Sequence, residues 1–228
     1  ALGLLGLTLA LAAERTDLDP SYAGPTPLPA AVAQRFVYPE QGTPVNVVLE
    51  FNQEDFETYS TRWLKLEVTT PGFDPHVAQV IHYRPEASGP RSAVIVSPIL
   101  GGSNEVAKII AGGLAARGMH ALIVLRAQSY LDSSVGAANL EVVLRTAVVD
   151  RRRAIDWLCE QDDVDPERLG AIGVSVGGLA TTIMVAVEPR IRAAVLVMAG
   201  GDLSSLLLAS DQPRVRRFVR ERAEHGVA

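Results

Sequence analysis

The chain has 228 residues, a formal net charge of -5 at pH 7, 48% hydrophobic and 21% charged residues. This is the composition of a globular protein of one α/β domain, not of a disordered chain, and the acidic balance argues against nucleic acid or an anionic membrane surface as partner. A single cysteine, Cys159, excludes an intrachain disulfide and any multi-cysteine metal site. The four histidines, His76, His82, His120 and His225, show no ligand-like spacing, so no zinc site is expected.

Residues 1–13, ALGLLGLTLALAA, are apolar without a break. They are too few for the ~20 residues that cross a bilayer, so no integral membrane span is expected. They match the apolar stretch of a secretory signal, with Ala10-Leu11-Ala12 as the small residues a signal peptidase requires, and read as its remnant. The mature protein is then expected to be secreted or periplasmic. Residues 14–60 form a Pro-rich extension, with Pro20, Pro25, Pro27, Pro29, Pro39 and Pro44 forbidding a long helix up to Pro44. The main domain is read as residues 61–228.

Within it, Trp63–Val68 and His76–Tyr83 read as strands paired antiparallel across a turn at Pro71-Gly72, with His82 at the sheet edge. Ala93–Ser97 is an apolar run of a strand buried on both faces. Asn104–Arg117 reads as a helix with Val106, Ile109, Ile110 and Leu114 on its apolar face, and Ala121–Leu125 as a buried strand that His120 leads into. Leu140–Glu160 is a long amphipathic helix with Leu144, Val148, Ile155 and Leu158 inward and Arg151-Arg152-Arg153 on a solvated face. Leu169–Val174 and Ala193–Met198 are strands, with a helix over Gly177–Val187 between them. Alternating strands and helices predict a mixed sheet, parallel inside and antiparallel at one edge, with helices on both faces. Cys159, Trp63 and Trp157 read as packing residues.

Gly173-Val174-Ser175-Val176-Gly177-Gly178 stands where a buried strand meets a helix. A serine there sits on a sharp turn in which the Cβ atoms absent from Gly173 and Gly177 leave room, and its hydroxyl rises above the carboxyl ends of the strands. The following helix points free N–H groups at any oxyanion formed beside that hydroxyl. The alternative is a Gly-rich tight turn with a structural serine.

With this motif, residues 61–205 resemble the α/β-hydrolase superfamily, in particular its dienelactone-hydrolase-like and esterase-like bacterial members. The resemblance extends to the lead-in Asp163-Val164-Asp165-Pro166-Glu167-Arg168-Leu169-Gly170, where Asp165 caps a turn begun by Pro166 and neither Asp165 nor Arg168 is catalytic. It implies the three-layer α/β-hydrolase fold and a serine hydrolase of ester or related acyl bonds, with Ser175 as nucleophile and a small acyl compound as substrate. It implies no cofactor. The oxyanion donors it implies are the backbone N–H groups of Gly102, or of Gly101, and of Val176. Leu100 stands where many relatives carry histidine, and loss of one donor costs about 2.7–4 kcal/mol of transition-state stabilisation.

The superfamily order is serine, then acid, then histidine. After Ser175 one strand is legible, and the two that normally carry the acid and the histidine are not, so the sequence reads as truncated before its final strands. Asp202 and His225 are the remaining acid and base candidates; Asp202 fits better as the cap of a helix over Leu203–Leu208, and His225 follows an Arg-rich helix over Val215–Glu224 that reads as solvated. Asp132 and Glu105 lie near loops of the site without an assignable role. Rival readings are a non-catalytic binding protein of the same fold, a phosphate-binding turn at Gly101–Ser103, and a peptidase, thioesterase or lipase.

Overall fold

Apolar side chains that alternate along central strands must find cover on both sides of the sheet. The computed structural model, which describes residues 28–39, 41–70, 74–99, 104–125, 136–200 and 203–224, shows how they do so. The strands are β1 (Val47–Asp55), β2 (Tyr59–Val68), β3 (His76–Pro85), β4 (Arg91–Ser97), β5 (His120–Val124), β6 (Val164–Val174) and β7 (Ile191–Val197). The helices are α1 (Ala30–Gln34), α2 (Glu105–Ala115), α3 (Gly136–Cys159), α4 (Val176–Val187), α5 (Leu203–Ala209) and α6 (Pro213–Glu224).

The strands form one sheet in the order β1-β2-β3-β5-β4-β6-β7. β1, β2, β3 and β5 pair antiparallel in succession, whereas β5, β4, β6 and β7 are parallel. On one face Val80, Ile95 and Leu122 pack with Val148, Ile155, Trp157 and Leu158 of α3 and Met184 of α4. On the other, their neighbours Ile81, Val96 and Ile123 pack with Ala107, Ala111 and Ala115 of α2. The result is three layers, helix–sheet–helix. β7 is an edge strand whose Val195 and Leu196 are 52% and 46% exposed, an apolar margin of the kind that pairs with another strand.

Several expectations need correction. β1 and α1 lie inside the segment read as a Pro-rich extension, and β1 is paired along its length with β2. The buried face of α2 is the Ala107, Ala111, Ala115 stripe, while Val106 and Ile109 are 41% and 73% exposed. Small side chains at i, i+4 spacing let the helix lie close on β5, which turns its bulkier residues outward. His82 is not at an edge, because β3 is flanked by β2 and β5 and its imidazole is buried.

The largest correction concerns Arg151-Arg152-Arg153, which are buried, not solvated. Arg152 Nε donates to Glu188 Oε2 at 3.1 Å and its Nη1 to the Phe36 carbonyl at 2.7 Å. Arg153 donates to the carbonyls of Thr43 and Pro44, at 2.8 and 2.7 Å. The arginines thus tie the segment before β1 onto α3. On α6, Phe218 is buried, so that helix is docked on the domain and not wholly solvated. The Pro71-Gly72 turn and residues 1–13 lie outside the described residues.

Candidate active site

β6 delivers the chain to Ser175 at the carboxyl edge of the parallel strands, and α4 begins at the next residue. Ser175 has φ 54° and ψ -121°, a conformation that costs a non-glycine residue of order 1–3 kcal/mol. Its N–H donates to the Val197 carbonyl at 2.9 Å, and its own carbonyl accepts from Leu179 N–H at 3.2 Å. The turn is therefore held by the end of β7 on one side and by the first turn of α4 on the other.

The glycines around it are required by contact. A Cβ on Gly173 would lie 2.5 Å from Thr181 Oγ1 and 2.6 Å from the Gly177 carbonyl oxygen. One on Gly177 would collide with the backbone carbonyl of Ser97, and one on Gly178 would come within 2.6 Å of Ala199 Cβ. The turn is thus wedged between the ends of β4 and β7. Behind it, Ser97 Oγ accepts hydrogen bonds of 2.8 Å from both Arg151 Nε and Thr181 Oγ1.

Asn104, at φ 62°, and Met198, at φ 50°, share the positive φ of Ser175. Asn104 follows β4, Ser175 follows β6 and Met198 follows β7, so the unusual conformations gather at one edge of the sheet. The positive φ of Asn104 and Met198 is not legible in the sequence, since a single such residue leaves no periodic signal. Ser175, Val176 and Leu179 border an apolar cavity of about 180 Å³ that α3, α5 and α6 line with them.

Val176 opens α4, where the first N–H groups of a helix have no intrahelical acceptor. Gly101, Gly102, Ser103, Asp132, Asp202 and His225 lie outside the described residues. The described histidines stand apart from Ser175. His120 begins β5 and contacts His82 and the Asp163 carbonyl, at the amino edge of the parallel strands. His76 is at the carboxyl edge and lies 2.6 Å from Asp150, but β5 and β4 separate its strand from β6, roughly 14 Å at ordinary strand spacing. Asp165 accepts from Glu167 N–H at 3.0 Å, the turn-capping role its position predicts. Burial pushes the Cys159 thiol up, away from the reactive range. Among the described residues no group of three or more His, Cys, Asp or Glu is placed to hold a metal, and no helix is long and apolar enough to cross a membrane.

Residues 145–216, from α3 through the Ser175 turn into α6, match the model of the prolyl oligopeptidase family. No curated protein sequence matches the chain. Among solved structures, an acetyl xylan esterase from Paenibacillus sp. is similar at 19% identity and TM-score 0.54, covering 86% of this chain and 66% of that one. A glucuronoyl esterase from Solibacter usitatus is similar at 16% identity and TM-score 0.54, covering 73% and 55%. An acetyl xylan esterase from Thermoanaerobacterium sp. is similar at 14% identity and TM-score 0.51, covering 87% and 74%. The chain spans about half the length of the glucuronoyl esterase and about two thirds of the Paenibacillus enzyme. With its sheet order, its parallel core and its antiparallel edge, the chain has the fold of the α/β-hydrolase superfamily.

Proposed function

We propose that the protein is a serine hydrolase in which Ser175 attacks the carbonyl carbon of an ester. The observation that carries this reading is the backbone of Ser175. A non-glycine residue at φ 54° between strand and helix, wedged by Gly173, Gly177 and Gly178 and bordering a cavity, is a costly arrangement that a structural serine does not need. The Ser175 proton passes to a base, the C–O bond to the leaving alcohol breaks as that alcohol takes a proton, and water then cleaves the acyl-serine. Val176 N–H at the start of α4 is one oxyanion donor, and Gly102 N–H is assigned as the second. The base and its acid partner are assigned to chain that follows Ser175, since the described histidines are held elsewhere. Residues 1–13 support a secreted or periplasmic location.

The prolyl oligopeptidase match over residues 145–216 favours a second reading, a peptide bond as the scissile bond, with the same nucleophile. Both are tested by intact mass of the naturally expressed protein after fluorophosphonate treatment. One adduct, absent from Ser175→Ala, is expected; a folded protein that stays unlabelled overturns the nucleophile and favours a binding protein of the same fold. Comparing p-nitrophenyl esters with chromogenic peptide amides then separates ester from peptide hydrolysis.

A further inference from the structure

The cavity beside Ser175 is lined almost wholly by apolar side chains. α3 contributes Leu144, α4 Leu179, α5 Leu206 and Leu207, α6 Val215, and the end of β7 Met198. Ser175 and Ser210 bring the hydroxyls to it, and no charged side chain lines it among the described residues. A site for a sugar or a charged acid would need buried polar partners to replace the water those groups lose. The lining that the described residues give this cavity favours a group that gains by leaving water.

Its size narrows the choice. At about 180 Å³ it is slightly larger than the ~150 Å³ apolar cavity known to hold benzene, and at roughly 30 Å³ per heavy atom it takes about six. The methyl of an acetyl group would leave most of that volume unfilled, while a twelve-carbon chain would run out into solvent. Ser175 is one of the residues that line the cavity, so a group filling it would sit next to the carbonyl under attack.

We infer that this cavity is the acyl-binding site and that it selects an apolar acyl group with a tail of five or six carbons, such as hexanoyl or benzoyl. The inference rests on Ser175 being the nucleophile. Each methylene moved from water into the cavity raises kcat/KM about fourfold, so hexanoyl outpaces acetyl by on the order of a hundredfold.

The test is kcat/KM of the naturally expressed protein for p-nitrophenyl acetate, butyrate, hexanoate, benzoate and dodecanoate. The maximum is expected at hexanoate or benzoate, with dodecanoate lower. Leu207 lies on α5, a different element from the Ser175 turn, and its replacement changes the shape of the cavity. Leu207→Trp should lower the hexanoate-to-acetate ratio at least tenfold, and Leu207→Ala should move the maximum to a longer chain. An acetate rate equal to or above that of hexanoate, or a ratio that neither variant moves, overturns the acyl-site assignment while leaving Ser175 as nucleophile. Hydrolysis that survives Ser175→Ala overturns the nucleophile and the assignment together; no hydrolysis of any of these esters overturns the assignment, and fluorophosphonate labelling of Ser175 then decides whether the nucleophile stands.

Discussion

Arg151 Nε donates a 2.8 Å hydrogen bond to Ser97 Oγ, and through it a buried guanidinium reaches the end of β4. Ser97 also accepts from Thr181 Oγ1, and its backbone carbonyl closes the space above Gly177. One serine therefore joins α3, β4 and α4 directly behind the turn that carries Ser175. The second hydrogen bond of Arg151, from Nη1 to the Ala147 carbonyl at 2.6 Å, fixes the guanidinium to its own helix.

Breaking this junction should cost stability. Ser97→Ala removes the acceptor and leaves a charged donor buried, and is expected to lower unfolding free energy by about 2–3 kcal/mol. Arg151→Met removes the donor but fills similar volume, and should cost about 1–2 kcal/mol. The double variant should be less destabilised than the sum, because the pair is counted once. Urea denaturation of the four proteins measures the coupling, and strict additivity would mean that the hydrogen bond contributes nothing.

The glycines of the turn and a glycine of α2 should respond oppositely to the same added methyl. Gly177→Ala drives Cβ into the backbone carbonyl of Ser97, which cannot move without shifting β4. A loss of about 3 kcal/mol or more is expected. Gly112→Ala brings Cβ to 3.1 Å from Tyr59 Oη, the far end of a side chain that can swing aside. There the gain in helix propensity, about 1 kcal/mol, offsets the contact. Thermal midpoints should fall sharply for the first and stay within a few degrees for the second.

The contrast between these glycines shows what was legible. Buried strands and the Gly173–Gly178 turn can be read because each is defined by neighbours in sequence. β1 was missed because the prolines before it dominate the pattern and register shifts at Val47/Leu49 and Asn52/Glu54 break its alternation. The arginines of α3 were misread because what buries them is remote: Phe36, Thr43, Pro44 and Ser97 lie 54 or more positions away. A charge run says nothing of partners that far along the chain. The Ser175 turn could be named, but the cavity beside it comes from α3, α5 and α6 folding over, which no local pattern encodes.

Stability should fall in mild acid because of His82 and His120. The Asp163 carbonyl accepts from His120 Nε2 at 3.0 Å, which leaves His120 Nδ1 to accept from His82 Nε2 at 2.9 Å. The remaining nitrogen, His82 Nδ1, is buried without a partner among the described residues. Burial pushes both imidazoles below their ordinary range; at His82 the charge of His120, Arg62 and Arg84 adds repulsion, while at His120 Asp163 opposes the burial in part and Arg84 and Arg62 reinforce it. The unfolded chain therefore takes up protons first, so the stability is complete above about pH 6.5 and is lost as pH falls below it. The slope should approach ~1.4 kcal/mol per pH unit for each histidine. His82→Gln keeps a donor toward His120 but cannot charge, and should about halve the slope of unfolding free energy between pH 6.5 and 5; an unchanged slope would place the titration elsewhere.

Tyr38 offers a way to separate two contributions that hold the segment before β1. Its hydroxyl donates to Asp156 Oδ2 at 2.7 Å, and its ring lies 5.0 Å from the Arg152 guanidinium. Burial, reinforced by Asp156, drives the phenol far above its ordinary range, so it is a donor at neutral pH. Tyr38→Phe removes only the hydrogen bond to a charged, buried acceptor and should cost about 2 kcal/mol. Tyr38→Leu also removes the ring under the guanidinium and should cost roughly a further 1–2 kcal/mol. The carboxylate left by either variant still has Arg190 at 2.8 Å, which limits the loss and keeps both proteins folded. Denaturant midpoints in the order wild type, Phe, Leu are expected, with limited proteolysis before Val45 increasing in the same order; equal midpoints for the two variants would show that the ring adds nothing beyond the hydroxyl.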